Sequence, residues 1–446
     1  MYKKNWVFGV SFAVVAIVAA CGILFQRSFE RTMEKLFQFL VMNFSWMYLA
    51  SMLFFVGFSV YMAFGRFGNV KLGDDDSKPE YGNVAWFGML FGAGMGIGLV
   101  FWGVAEPLKH YITFGMTEEA ANLAMKKAFM HWGFHPWAAY SVIGLALGYF
   151  QHRRKTPGQI SSIFLPILGE RGVQGPIGRM IDVLSVFATV AGIATSLGQG
   201  ALQINGGLNY LCGLPVSGIS QVFIIMAITA VYTWTAVSGI EKGIKLLSDI
   251  NMLLAAVLLA GCFLVGPKIM SLNILISAAG SYLNSFVSDS LLINPFGDNS
   301  WLGNWTVFYW AWWIAWGPFV GTFIARISKG RTIREFVAGV ILAPSITSFV
   351  WFSVFGSLGL SRNAETIKNA AGNVETALFV ILGEYRMGLV LSVIVILLLC
   401  TFFITSANAA TFVLAMFSSN GDLNPPNAKK FIWGTAQAIL ATVLLL

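Results

Sequence analysis

Six tryptophans, Trp301, Trp305, Trp310, Trp312, Trp313 and Trp316, fall within one largely apolar stretch, and Gly317-Pro318 follows at once. Indole faces attract cations through the ring quadrupole. Trp305, Tyr309, Trp312 and Trp316 stand three or four residues apart, so a helix places them on one face. A belt at a lipid interface would set Trp at the ends of a span, whereas these run through its middle. The rings either pack a helix–helix contact or wall a box for a quaternary ammonium group. Trp132, Trp137 and Tyr140, in and just after the run His131-Trp132-Gly133-Phe134-His135-Pro136-Trp137, could supply further walls. His131 and His135 are four residues apart, but the Glu of a zinc-protease motif is absent and Pro136 disturbs the turn. Packed or interfacial histidines fit this pattern better than a metal pair.

A second chemistry lies in the backbone. Gly92/Gly96 and Gly94/Gly98 have the four-residue spacing that suits close helix packing. Three alternating glycines over Gly94–Gly98, flanking Met95, also weaken a helix. An unwound stretch here would free carbonyls for a small cation and helix-end amides for a carboxylate. Thr405 and Ser406 are adjacent hydroxyls deep in another apolar run. They either bond back to the preceding turn or act as oxygen ligands for a hard monovalent ion. Thr189, Thr195 and Ser196, near Gly192, offer the same choice between packing and ion contact.

These groups need elements to hold them. The 446 residues are 57% hydrophobic and 11% charged, where a soluble chain carries about 25% charge. The composition indicates an all-α integral membrane protein. Eleven spans are expected, at 5–26, 42–64, 84–104, 131–150, 181–203, 218–239, 248–267, 304–325, 336–357, 388–412 and 431–446. A cytoplasmic N-terminus puts most of the 28 Lys and Arg on inner segments, so the net charge of +8 reads as a topology signal. No basic patch has nucleic-acid motif context, and no nucleic-acid partner is expected. The first apolar run is too long for a cleaved signal and reads as a span. Cys21, Cys212, Cys262 and Cys400 are scattered, with neither disulfide nor metal spacing.

The chain divides into two leading helices and a polar linker (1–83), a first five-span group (84–267), an outer connecting segment with room for an amphipathic surface helix (268–303), and a second group (304–446). Breakers interrupt the first span of each group, at Gly94–Gly98 and at Gly317-Pro318. With an odd number of spans per group, the second is inverted relative to the first. Interrupted helices at matching places in two inverted halves point to a transporter binding site. The chain stops inside an apolar run at Leu446, so the last helix of the second group is expected to be absent from it. The charge run Ala325–Glu335 is a topology determinant that could also pair with carboxylates in a gate.

Together these motifs resemble the betaine/choline/carnitine transporter family. The resemblance rests on Gly94-Met95-Gly96-Ile97-Gly98 through Glu106-Pro107, on His131–Trp137, and on Phe308–Gly321 followed by Ala325–Gly330. It implies a leucine-transporter-like five-plus-five inverted repeat with two extra N-terminal transmembrane helices. It also implies sodium-coupled uptake of trimethylammonium solutes and a homotrimer in the bacterial cytoplasmic membrane. Carried over by motif position, the cage is Trp132, Trp137, Tyr140 and Trp313, with Trp312, Trp316 and Phe319 lining the route. Sodium would lie between carbonyls near Gly92 and Met95, the carbonyl of Phe402, and the Thr405 and Ser406 hydroxyls. A second sodium position would use Thr189, but its companion hydroxyl one turn later is here Ile193. The family's Asp and Ser after the Thr-Ser-Ala of span ten are here Asn408 and Ala409, removing a charge and a hydroxyl.

The glycine stretch carries no acid and Glu106 lies at its far end, so a cation such as choline would lack a counter-charge. Glycine betaine brings its own carboxylate and is the first expected substrate. A sodium-independent exchanger of carnitine- or choline-type substrates is the alternative. A channel fits the midspan glycine-plus-Trp arrangement less well, and an enzyme fits least, since no nucleophile–base arrangement stands out.

Overall fold

Backbone crossing a bilayer must satisfy its own hydrogen bonds, so long apolar runs become helices. The computed structural model describes residues 6–94, 96–238 and 241–445, without the side chains of Val84, Ala93 and residues 241–245. Its helices are α1 (Trp6–Leu24), α2 (Gln26–Phe64), α3 (Asn83–Gly94), α4 (Ile97–Thr113), α5 (Glu118–Trp132), α6 (Phe134–Gly148), α7 (Leu165–Gln174), α8 (Pro176–Cys212), α9 (Gly218–Ser238) and α10 (Glu241–Val265). After these come α11 (Lys268–Asn284), α12 (Phe286–Ser290), the single turn α13 (Ser300–Leu302), α14 (Phe308–Ile327), α15 (Ile333–Leu360), α16 (Ala364–Gly372), α17 (Ala377–Gly383), α18 (Gly388–Phe417) and α19 (Asn427–Leu445).

Seven of these are long and apolar enough to cross a membrane, and the bent pair α3–α4 makes an eighth. Helices α6, α14 and α19 occupy the other three expected spans. The protein is thus an all-helical, multi-pass membrane protein. At the centre, α4 packs against α8, α15 and α18, while α14 packs against α6, α8 and α18.

The two expected helix breaks have different outcomes. The glycine stretch does break: α3 ends at Gly94, α4 starts at Ile97, and their axes differ by 65°. Gly96 caps α4 with φ −119° and ψ −136° and provides no side chain to bond the first amides. Gly317-Pro318, by contrast, does not interrupt α14, which runs unbroken from Phe308 to Ile327 with Pro318 inside it. Packing explains the difference. A Cβ on Gly321 would lie 2.7 Å from Ile143 Cγ2 and 3.1 Å from the Gly144 amide nitrogen. The glycines of α14 therefore bring its backbone close against α6, and this contact outweighs the single backbone bond that proline forfeits. The irregularity of this span lies earlier, in a π-helical turn over Gly303–Val307.

Outside the spans, the connecting segment forms α11 and α12, and α11 packs on α5 and α15. Asp289 on α12 pairs with Lys126 at 2.9 Å and Lys127 at 3.1 Å, tying this segment to α5. Burial opposes its charge, but hydrogen bonds from Ser285, Lys126 and Lys127 and the nearby Lys127 charge hold its carboxyl below the usual carboxylate range. The charge run after α14 does not pair with carboxylates among the described residues. Arg331 donates to Asn83 Oδ1 and the Tyr81 carbonyl and stacks on Trp86 at 3.8 Å. Arg334 donates to the Ala63 carbonyl, and Arg326 lies 4.7 Å over the Phe412 ring. The loop between α2 and α3 joins this arrangement through Leu72 N–H to the Arg331 carbonyl at 2.8 Å.

Candidate functional site

The break between α3 and α4 opens beside a small cavity. Four indoles wall it: Trp132 at the end of α5 and Trp312, Trp313 and Trp316 on α14. Trp312 and Trp313 stack at 5.2 Å and 12°, while Trp132 stands nearly perpendicular to Trp313, at 5.0 Å and 85°. The four rings thus border one space at differing inclinations to one another. The remaining walls include Gly96, Ile97 and Gly98 from the start of α4, Ile193 and Ser196 from α8, and Ser406 from α18.

Gly98 sets how closely the rings approach the break. A Cβ there would lie 2.9 Å from Trp132 Cη2 and 3.0 Å from Trp312 Cη2. Glycine at this position lets two indoles rest on the helix backbone. Gly96 contributes no capping side chain, so the Ile97 and Gly98 amides at the cavity wall have no side-chain cap, whereas the Leu99 N–H donates to the Gly96 carbonyl at 3.2 Å.

The other expected cage residues form an outer layer. Tyr140 meets Trp313 edge-on at 6.0 Å, and Trp137 meets Tyr140 edge-on at 5.6 Å. Phe319 packs on Trp316 at 5.6 Å. All three are buried, and none lines the cavity. The Trp stripe is correspondingly divided: Trp312 and Trp316 face the cavity, whereas Trp305 and Tyr309 pack around Trp102 and His110.

The expected ion ligands are only partly assembled. Ser406 lines the cavity, and its Oγ lies 3.2 Å from where a Gly96 Cβ would be. Thr405 does not line it. Its hydroxyl donates to the Thr401 carbonyl at 3.0 Å and accepts from Asn251 Nδ2 at 2.9 Å. The Phe402 carbonyl also lies 3.2 Å from the Thr405 hydroxyl. Thr189 bonds back to the Ser185 carbonyl at 2.8 Å, while Ile193 faces the cavity. Gly92 and Gly94 lie in the last turn of α3, and Met95 lies outside the described residues. Asn408 donates to Thr235 Oγ1 at 2.7 Å and so serves the α9–α18 contact.

Sequence reasoning set Glu106 at the far end of the glycine stretch and missed its link to the indoles. Its carboxylate is fully buried on α4 and meets Trp132 Nε1 at 2.8 Å, Tyr309 Oη at 2.6 Å, His131 Nδ1 at 2.7 Å and His110 Nε2 at 3.2 Å. It stands behind the Trp132 wall and does not line the cavity. No acid lines the cavity itself, but Glu106 accepts a hydrogen bond from one of its indole walls. One signal was present: an ionisable residue within an apolar run is itself a pointer to function. Glu106, His110 and His131 bring their ligand atoms within 4.8 Å of one another. His135 is not part of this cluster; it bridges Tyr282 Oη and Ser290 Oγ instead. Trp313 completes the frame by donating from Nε1 to the His131 carbonyl at 3.0 Å.

A broken membrane helix beside an aromatic-walled cavity points to the class: a multi-pass carrier for a small organic solute. The comparisons with known proteins agree. Residues 6–446 match the model of the betaine/carnitine/choline family of transporters. The glycine betaine transporter OpuD of Bacillus subtilis is 45% identical over 98% of this chain and 87% of its own length. A probable glycine betaine transporter of Desulfitobacterium hafniense is 42% identical over 99% of this chain and 90% of its own. The ectoine/hydroxyectoine transporter of Virgibacillus pantothenticus is 40% identical over the same shares. The chain belongs to the betaine/carnitine/choline transporter family.

Proposed function

We propose that this protein takes up glycine betaine by sodium-coupled alternating access across a bacterial cytoplasmic membrane. The observation that carries the reading is the single cavity shared by four indoles and the uncapped start of α4. A trimethylammonium nitrogen cannot donate a hydrogen bond. Aromatic faces hold it by cation–π attraction worth up to about 2 kcal/mol per desolvated contact. The carboxylate of the same zwitterion needs donors, and the positive end of α4 offers them. Relatives named for glycine betaine, at 45% and 42% identity, support this substrate.

Sodium would bind near Ser406, with backbone oxygens beside the α3–α4 break. Ion and solute would then stabilise the same conformation, which is how coupling arises. The five-plus-five repeat, with α3–α10 as one half and the helices from α14 onward as the other, the homotrimer and the cytoplasmic N-terminus belong to the same proposal. The sodium-independent exchanger is the second reading, favoured by the hold of Asn251 on the Thr405 oxygen.

Uptake of labelled glycine betaine into proteoliposomes separates these readings. Accumulation with an inward sodium gradient and none with potassium supports symport. Equal uptake with both favours exchange. Ectoine uptake without betaine uptake would refute the trimethylammonium cage.

A further inference from the structure

We propose that Glu106 is a positioning residue that tunes Trp132 for cation recognition, so that the cavity prefers a trimethylammonium group over a neutral group of the same shape. This rests on the quaternary-ammonium reading of the cavity and adds a cause for its selectivity. Trp132 is the cage wall that does not come from α14, and its ring faces Trp313 and Trp312 edge-on at 5.0 and 6.1 Å. Its N–H, which can only donate, points to Glu106 Oε2 at 2.8 Å. Tyr309 Oη shares that oxygen at 2.6 Å. The other oxygen faces His131, whose far nitrogen meets Thr306 Oγ1 at 2.9 Å, and His110.

A carboxylate in an apolar interior survives as an anion only when donors surround it, as they do here. A charged acceptor on an indole N–H polarises that bond and moves electron density onto the ring. The negative face that attracts a cation is thereby strengthened. The same bond fixes the plane of the ring. Glu106 itself stays out of the cavity, so its charge is not presented as a contact ion. A purely structural acid would hold α4, α5 and α14 together without altering which ligand binds.

The test measures equilibrium binding of glycine betaine and of 3,3-dimethylbutyrate, its carbon isostere with no positive charge, to the purified full chain. Wild type should prefer betaine. Glu106→Gln keeps an acceptor for Trp132 and removes the charge. It should lower the betaine-to-isostere affinity ratio by about fivefold while isostere affinity stays within about twofold. Equal loss for both ligands, or an unchanged ratio, overturns the inference. If Glu106→Gln does not fold, Tyr309→Phe takes a competing donor from Oε2 and keeps the ring. The ratio should then rise by about twofold, and a ratio that stays or falls overturns the inference. A wild-type protein with no preference for betaine refutes the cation–π cage and this inference with it.

Discussion

The cage and the candidate ion site share one cavity but are built in different ways. The cage consists of side chains. Trp132, Trp312, Trp313 and Trp316 line the space, and two of them are held by hydrogen bonds to Glu106 and to the His131 carbonyl. The ion site depends on backbone and on short hydroxyls. Of the two hydroxyls proposed for it, only Ser406 reaches the cavity, while Thr405 is engaged by Asn251. The residues of the proposed solute box therefore meet around one space, whereas those of the proposed ion site are only partly brought together. On the proposed sodium coupling, arranging the ion oxygens is the step that sodium would drive.

The largest effect should come from removing a cage wall. Trp313→Ala deletes a ring stacked on Trp312 and perpendicular to Trp132. A loss of about 3 kcal/mol, or roughly 100-fold in betaine affinity, is expected from equilibrium binding. Retained affinity would reduce the indoles to helix packing. Next in size is Gly98→Ala, whose added methyl would lie about 3 Å from two of the rings. Overpacking of this kind costs about 1–3 kcal/mol. Betaine Kd should rise about tenfold, with a lower Tm, and an unchanged Kd would show that the rings can shift freely.

Ser406→Ala examines the other half of the comparison. It removes the hydroxyl at the cavity wall facing Gly96. The sodium concentration for half-maximal uptake should rise by about tenfold, in line with the loss of roughly 1–1.5 kcal/mol for one oxygen contact. Betaine affinity at saturating sodium should hold. If betaine affinity falls and the sodium response does not, Ser406 belongs to the solute box.

The same asymmetry governs how much was legible in the sequence. Indoles at helical spacing imply a common face by periodicity alone, and Trp312 and Trp316 do share the cavity. The glycine run signalled its break because glycine lacks the Cβ that favours helix. Gly317-Pro318 misled because the close fit of α14 to Ile143 and Gly144 is a tertiary fact. Trp137, Tyr140 and Phe319 were placed in the cage or along its route, yet they back it from a second layer. Glu106 was placed at the far end of the glycine stretch, and its bonds to Trp132 and His131 on α5 and to Tyr309 on α14 were not legible because they join three separate helices. The Asn251–Thr405 bond was hidden for the same reason, since it joins α10 to α18.

That bond gives the smallest and most discriminating prediction. Asn251 is buried, and its Oδ1 has no hydrogen-bond partner among the described residues. Asn251→Leu conserves volume, removes the amide donor and leaves Thr405 bonded to the Thr401 carbonyl. If Asn251 competes with sodium for the Thr405 oxygen, freeing that oxygen should lower the half-saturating sodium concentration by about threefold, near 0.7 kcal/mol. Sodium titration of uptake reads this directly. A rise instead would mean that Asn251 turns its own carbonyl toward the ion, and that the site draws on three helices. No change would place Thr405 outside the ion site altogether and leave Ser406 as its single side-chain oxygen among the residues proposed.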